Sequence, residues 1–347
     1  MTGPVSTGVL VGYGSVGRRH ARVLAGLAPS LTIVEAKELG RAQAQADHPS
    51  ALVVESLDAL DGHGVSWESA LAVVATWGPS HAPLFHALAD RGVRRIMCEK
   101  PLASSVALAN GMVCRALRDG IALAVHHYIR YSGLAPALRR LADEHGLGEP
   151  AAVRVEGGAS CLLTNGVHWL DFASDLFGAT PVRVVSTARG EAINPRSPDL
   201  MLYEGTAAWT YADGREATIS FSNRSSVALT ARVYYRNAVA EVSSGLDVTL
   251  LRRDAAAVAR FPAVTRTGAA SERAYAGHLP GVPEYDDAMC HALTELAGGE
   301  PLTAPGVVGA AAVGACIGAL AASREGRAVS LPIDPAGALG MEVWPIS

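Results

Sequence analysis

Along the first part of the chain, short apolar runs alternate with stretches of helical spacing. Between residue 9 and about residue 127, "VLVGYG", "LTIVE", "LAVVAT", "RRIMCE" and "IALAVHH" are almost continuous in apolar side chains. Strands of a parallel sheet covered on both faces have that texture. Residues 15–27, 37–47, 80–91 and 104–119 lie between these runs with helical spacing of apolar positions. The alternation predicts successive β-α-β units and an α/β fold, a doubly wound parallel sheet of Rossmann type.

After "HGLGEP", residues 145–150, the pattern changes. "AAVRVEGG", "VRVVSTARG", "GTAAWTYADGREATISFSN", "LTARVYYRNAVAEVSS" and "DVTLLRRD" read as strands, several with period-two alternation, and Asp213-Gly214 marks a tight turn. They predict a second, α+β domain with a mostly antiparallel sheet. Residues 262–281 are weak in periodicity and are expected to be loop, with helices near 283–298 and 306–324. The expected division is 1–127 for a nucleotide-binding domain and 128–347 for a substrate-binding and oligomerisation domain, the last helices being free to pack back on the first. A chain of 347 residues suits two domains, since single cores stop growing near about 250–300 residues.

Charge narrows the partners. Lys and Arg total 29 against 33 for Asp and Glu, a net charge of -4 without any basic run, so attraction to nucleic acid or an anionic membrane is not expected. Five scattered cysteines without C-x-x-C spacing argue against a disulfide framework and against a zinc site, and no metal is expected. A reducing cytoplasm is the simple reading, and the N-terminus shows no signal-peptide pattern. The apolar run 306–322 is 17 residues long, short of the ~20 a spanning helix needs, and is expected to be a buried helix.

"VLVGYGSVGRRHARVLAG" sets Gly12, Gly14 and Gly17 at G-x-G-x-x-G spacing between the first strand and a helix opened by Ser15 and Val16. Gly12 permits the tight turn, Gly14 lets backbone approach a pyrophosphate, Gly17 lets helix and strand pack, and the helix N-terminus faces the phosphates. Glu35 ends the second strand, 21 residues beyond Gly14. A carboxylate there accepts from ribose hydroxyls and repels a 2'-phosphate, which favours NAD; Lys37, two residues on, is able to swing towards such a phosphate, so NADP stays open.

Lys100 is one of only two lysines, the other being Lys37. An ammonium is a compact cation whose pKa shifts readily, whereas a guanidinium spreads its charge over a rigid fork and is never deprotonated. A secondary alcohol losing hydride must also lose a proton, and its developing alkoxide needs the former. "GYGSVGRRH", "ATWGPSH", "CEKPLA", "NGVHWLDFASDLFG" and "SREGRAVSLP" together resemble the glucose-fructose oxidoreductase, inositol dehydrogenase and rhizopine-catabolism (Gfo/Idh/MocA) family along nearly the whole chain. The resemblance implies hydride transfer between NAD(P) and a ring carbinol of a sugar, cyclitol, aminosugar or glycoside. It implies a large open sheet in the second domain, Thr76, Pro79 and His81 along the cofactor and Glu99, Lys100 and Pro101 beside the nicotinamide, with a Lys-Pro peptide that is often cis.

In the second domain, His168, Asp171 and Asp175 fall at i, i+3 and i+7 on one helix face. By the resemblance His168 is the base that takes the substrate proton and Asp171 orients its ring or holds the helix. Many family members carry a carboxylate four residues before this histidine; here the position is Thr164, next to Asn165, and both are expected to touch substrate. His126, His127, Tyr128 and Arg130 end the last strand of the first sheet, where further substrate contacts are expected, and 189–204 is expected to loop over the pocket. A homodimer or homotetramer is implied through the outer face of the second sheet, on the premise that an open sheet exposes an apolar patch. Two other readings stay open: an NAD-dependent glycosidase that oxidises a carbinol transiently, and a non-catalytic dinucleotide-sensing protein.

Overall fold

The computed structural model describes residues 4–158, 161–191, 200–260, 271–299 and 301–346. In chain order these form β1 (Thr7–Val11), α1 (Ser15–Leu27), β2 (Ser30–Val34), α2 (Glu38–Asp47), β3 (Leu52–Val54), β4 (Ala70–Val74), α3 (Gly78–Asp90), β5 (Arg95–Cys98), α4 (Val106–Asp119), β6 (Ala122–Val125) and α5 (Tyr128–Tyr131). There follow α6 (Leu134–His145), β7 (Ala152–Gly158), α7 (Gly166–Phe177), β8 (Arg183–Ser186), β9 (Arg189–Glu191), β10 (Leu202–Thr210), β11 (Glu216–Ser222), β12 (Thr230–Tyr234), β13 (Ala238–Ser243) and β14 (Asp247–Arg253). The chain closes with α8 (Ala255–Arg260), β15 (Ser271–His278), α9 (Tyr285–Gly298), α10 (Gly306–Glu325), β16 (Val329–Ser330) and α11 (Ala338–Met341). It divides into two compact units, Met1–Tyr131 with Glu284–Gly314 and Asp334–Ser347, and Ser132–Pro283 with Ala315–Ile333.

The first unit is built on a six-stranded sheet of order β3-β2-β1-β4-β5-β6 in which every pairing is parallel. All residues of β1 and β4 are buried, which is why their sequences run apolar without alternation. Leu10, Leu24, Met97 and Ala124 share one core with Ala288, Leu293 and Leu296 of α9, so this part of the late chain belongs to the first sheet's packing. The strand order reverses between β1 and β4, and their C-terminal ends open the crevice where sheets of this class bind ligands. The periodicity did not foresee β3, whose three residues are too few to show a pattern.

The second unit carries a ten-stranded sheet in the order β15-β14-β13-β12-β7-β11-β10-β8-β16, with β9 pairing β10. Every pairing is antiparallel except β7 with β11. The turn at Asp213-Gly214 joins β10 to β11, with Gly214 at φ +85 and its N–H donating to the Tyr211 carbonyl. Helix α7 lies on one face: a Cβ at Gly166 would meet Phe221 at 3.4 Å and Ile219 at 3.5 Å.

Three expectations are corrected here. Within 262–281, Ser271–His278 is a strand paired to β14; it is largely exposed, so as an edge strand it has no buried stripe to show periodicity, and 261–270 lie outside the described residues. Within 189–204, Arg189–Glu191 and the start of β10 pair as antiparallel strands, while 192–199 lie outside the described residues. The sheet face opposite α7 is not apolar at its centre: a cavity of ≈ 350 Å³ there is lined by Arg154, Glu156, Ser220, Ser222, Thr230 and Arg232 among others. Helix α10 also runs to 20 residues, long and apolar enough by composition to cross a membrane, but 72% of its most apolar window is buried inside the protein.

Candidate active site

At the end of β1 the three glycines do different physical work. Gly12 has φ +97, and a Cβ there would stand 2.8 Å from the Ala75 carbonyl oxygen at the end of β4. A Cβ at Gly17 would fall 2.1 Å from the Gly12 carbonyl oxygen, so only glycine lets α1 lie this close to the turn. Around Gly14 nothing lies within 4 Å of where a Cβ would be, and this residue caps α1 with no side-chain hydrogen bond. Ser15 is exposed and Val16 partly so. The result is an open, Cβ-free cradle at a helix N-terminus, the surroundings a pyrophosphate needs. Gly17→Ala is therefore expected to cost about 1–3 kcal/mol by overpacking and to lower the melting temperature by roughly 5 °C. Gly14→Ala, facing open space, is expected to melt with the parent protein, and a calorimetric scan of both variants checks this.

Glu35 follows β2 and is fixed before any ligand arrives. Its Oε2 accepts from Tyr13 N–H at 2.7 Å and its Oε1 from Lys37 N–H at 2.8 Å. A Cβ at Gly40 would meet Glu35 Cγ at 2.6 Å, so the start of α2 also needs glycine to pass over this acid. Two residues that sequence reading missed complete the corner. The Arg41 guanidinium donates to the carbonyls of Glu35 and Ala36 at 3.1 and 2.7 Å, and the Tyr13 hydroxyl donates to Asp47 at 2.8 Å. Burial, with Asp47 beside it, pushes the Tyr13 hydroxyl up to about 12. Arg41 at i+4 from Lys37 was the available signal.

The ends of β4, β5 and β6 bring the next group together within the same unit. Thr76 Oγ1 accepts from Ser80 Oγ at 2.8 Å, and Pro79 lies in the first turn of α3. His81, fully buried, donates from Nδ1 to the Pro101 carbonyl at 2.9 Å; burial lowers its pKa against the raising effect of that bond. The Lys100-Pro101 peptide is cis. Lys100 is half-buried two residues beyond β5. Glu99 is buried and accepts on Oε1 from His20 Nε2 at 2.8 Å and His126 Nδ1 at 2.7 Å, and on Oε2 from Lys100 N–H at 3.3 Å. His126 thus faces inward, to Glu99. His127 is buried, while Tyr128 and Arg130 are half-buried; the Tyr128 ring lies 5.1 Å from that of Tyr285, and burial pushes the Tyr128 hydroxyl up to about 12.

In the second unit, α7 and the segment before it hold the other residues. Asn165 is exposed at the start of α7, and its Oδ1 accepts from Cys161 N–H at 3.2 Å. Leu162 N–H donates to the Tyr203 carbonyl at 2.7 Å, tying this segment to β10. Thr164, His168 and Asp171 are all buried, at 9%, 6% and 3% exposure, so one short stretch gathers a hydroxyl, an imidazole and a carboxyl away from bulk water. Asp175 is different in kind: Arg139 of α6 bonds its carbonyl at 2.8 Å and lies 3.7 Å from its carboxylate, which makes it part of the α6–α7 packing.

Comparison with known proteins bears on the fold and the family. Residues 7–127 match the family described as oxidoreductase family, NAD-binding Rossmann fold (Gfo/Idh/MocA). D-apiose dehydrogenase of Paraburkholderia graminis is 30% identical over 209 residues, 52% of this chain and 52% of that protein, so the chain spans about half the length of this curated relative. Two solved structures share the fold over nearly the whole chain. Levoglucosan dehydrogenase in complex with NADH superposes with a TM-score of 0.73 at 15% identity, covering 95% of this chain and 100% of that one. GenD2 from gentamicin A biosynthesis, in complex with NAD, gives 0.71 at 20% identity, covering 96% and 98%. Residues 7–127 thus match the NAD-binding Rossmann fold of the Gfo/Idh/MocA oxidoreductases, and the described residues continue into a large, mostly antiparallel sheet.

Proposed function

We propose that this protein is an NAD-dependent dehydrogenase or ketoreductase acting on a ring carbinol of a small carbohydrate-like molecule: a sugar, cyclitol, aminosugar or glycoside. The observation that carries the reading is the joining, in one unit, of an open glycine cradle with an acid fixed at the end of β2 and a half-buried lysine at the end of β5. The residues present fit a dinucleotide: nothing lies within 4 Å of where a Cβ at Gly14 would be, and Glu35 is already oriented by two backbone donors, each oxygen keeping acceptor capacity for a ribose hydroxyl. A nicotinamide dinucleotide, when bound, supplies the hydride acceptor or donor.

The remaining work belongs to the chain's own side chains. Gly12, Gly14 and Gly17 with the N–H groups of Ser15 and Val16 hold the phosphates, and Thr76, Pro79 and His81 line the cofactor beyond them. Lys100 steadies the oxygen of the reacting carbinol as its proton leaves. His168 takes that proton, with Asp171 as its orienting neighbour on the same helix. Thr164, Asn165, His127, Tyr128 and Arg130 supply hydroxyl, amide, imidazole and guanidinium groups for the hydroxyls of a polyol. The reading extends to a cytoplasmic enzyme that engages neither nucleic acid nor membrane. It includes self-association as a homodimer or homotetramer, and an interface on the outer face of the second sheet would be polar at its centre.

Glu35 gives a direct test of the cofactor assignment. NADH is expected to bind more tightly than NADPH, and Glu35→Ser is expected to shift the ratio of their affinities towards NADPH by about tenfold, because a fixed anion no longer opposes the 2'-phosphate near Lys37 and Arg41. Titration of both reduced dinucleotides by fluorescence reads the ratio. A ratio indifferent to Glu35 would remove the acid from the cofactor site.

A further inference from the structure

The trio His20, Glu99 and His126 is almost completely withdrawn from water, at 0%, 5% and 1% exposure, yet it carries three ionisable groups, one of them the residue next to Lys100. Both imidazoles point a nitrogen at the same carboxylate oxygen, Oε1. A carboxylate oxygen accepts, so both rings donate. Their other nitrogens, His20 Nδ1 and His126 Nε2, are buried and meet no hydrogen-bonding partner among the described residues. A second proton on either ring would place a charged N–H donor there with nothing to receive it, whereas a bare lone pair is a far smaller loss. Both rings are therefore neutral and the trio carries one net negative charge. Burial lowers the His20 imidazole, in keeping with a neutral ring.

We propose that Glu99, fixed by His20 and His126, is an electrostatic positioning residue whose buried negative charge makes the cofactor site favour the oxidised, positively charged nicotinamide over the neutral reduced ring. The inference rests on the dinucleotide reading above and adds to it a preference between redox states. The oxidised ring carries a full positive charge that the reduced ring lacks, so a fixed anion beside the site contributes to one affinity and hardly to the other. Released reduced dinucleotide is then the natural product, which fits a working direction of carbinol oxidation. The three ligand atoms also lie within 4.8 Å of one another, the spacing of a metal site. A cation there would have to displace both N–H donors from Oε1, and two neutral donors already satisfy that oxygen.

The test is the affinity of NAD+ and of NADH, measured by calorimetry on the full chain for wild type, Glu99→Gln and His20→Gln. In Glu99→Gln the preference for NAD+ over NADH is expected to fall about tenfold, and in His20→Gln, where one neutral donor replaces another, to stay within about twofold. Equal weakening of both dinucleotides by Glu99→Gln would show a merely structural role and overturn the proposal. Should the variants fail to fold, the nitrogen chemical shifts of His20 and His126 in the wild type decide: neutral tautomers at neutral pH support the fixed anion, and an imidazolium at either position overturns it. One equivalent of zinc retained by the purified wild type after dialysis would overturn it as well. A wild type that binds neither dinucleotide sinks the cofactor reading itself and this inference with it.

Discussion

Lys100→Met is expected to lower turnover about a thousandfold, a loss of ~4 kcal/mol of transition-state stabilisation, while dinucleotide affinity and melting temperature stay near those of the parent. Methionine keeps the length and apolar stem of a half-buried lysine and removes only the ammonium. The backbone contact from Lys100 N–H to Glu99 and the bond from His81 to Pro101 do not depend on the side chain, so the loop should keep its course. Lys100→Arg is expected to recover little of the loss, since a guanidinium restores charge without a compact, ionisable donor. Steady-state kcat, with a thermal scan alongside, checks the claim. A loss confined to KM would mean that the ammonium binds substrate without acting on the chemical step.

His168→Asn is expected to cost about a hundredfold to ten-thousandfold in kcat/KM, the usual span for removing a general base. The residue is buried on the first turn of α7, which is otherwise packed from Gly166 to Phe177, and asparagine keeps a polar group there with little change in volume demand on its neighbours. The loss should come with a change of shape: the acid limb of the pH–rate profile that imidazole protonation creates is expected to vanish in the variant. Asp171→Asn should reduce the rate less, because an amide still holds position while orienting the ring more weakly. A uniform drop across pH, with the acid limb intact, would assign the base to another group.

How much of this could be read from sequence depended on what each segment buries. Strands β1 and β4 announced themselves because both their faces are covered, and β7 because Val153 and Val155 are buried between the exposed Arg154 and Glu156. The edge strand β15 buries almost nothing and left no pattern, and the three residues of β3 were too few to make one. Helix α6 did carry a readable stripe in Leu134, Leu138 and Leu141, all buried, which the reading passed over.

The site divides along the same line. Local sequence motifs name the glycines, Glu35, Lys100 and the His168 stretch as candidates, because each is a short run that can be read without knowing the fold. The partners of Glu99 were out of reach: His20 stands 79 residues away and His126 27, and only the folding of α1, β5 and β6 onto one sheet edge joins them. Asp175 shares the helix face of His168 by spacing, and the fold sets it against Arg139. The premise of an apolar outer face failed because openness of a sheet says nothing of which side chains line it, and here they are Ser, Thr, Arg and Glu.

The central claim is that hydride passes between nicotinamide and a ring carbinol, and nicotinamide absorbance reads that event directly. Wild-type protein should be offered NAD and NADP in turn with a panel of cyclitols, hexoses, aminosugars and glycosides, beside Lys100→Met under the same conditions. The account predicts that at least one ring alcohol drives reduction of NAD in preference to NADP and that the variant loses this activity. Cleavage of a glycoside with no net change in absorbance would contradict it, and so would tight binding of NADH with no turnover of any ring alcohol or of the corresponding ketones.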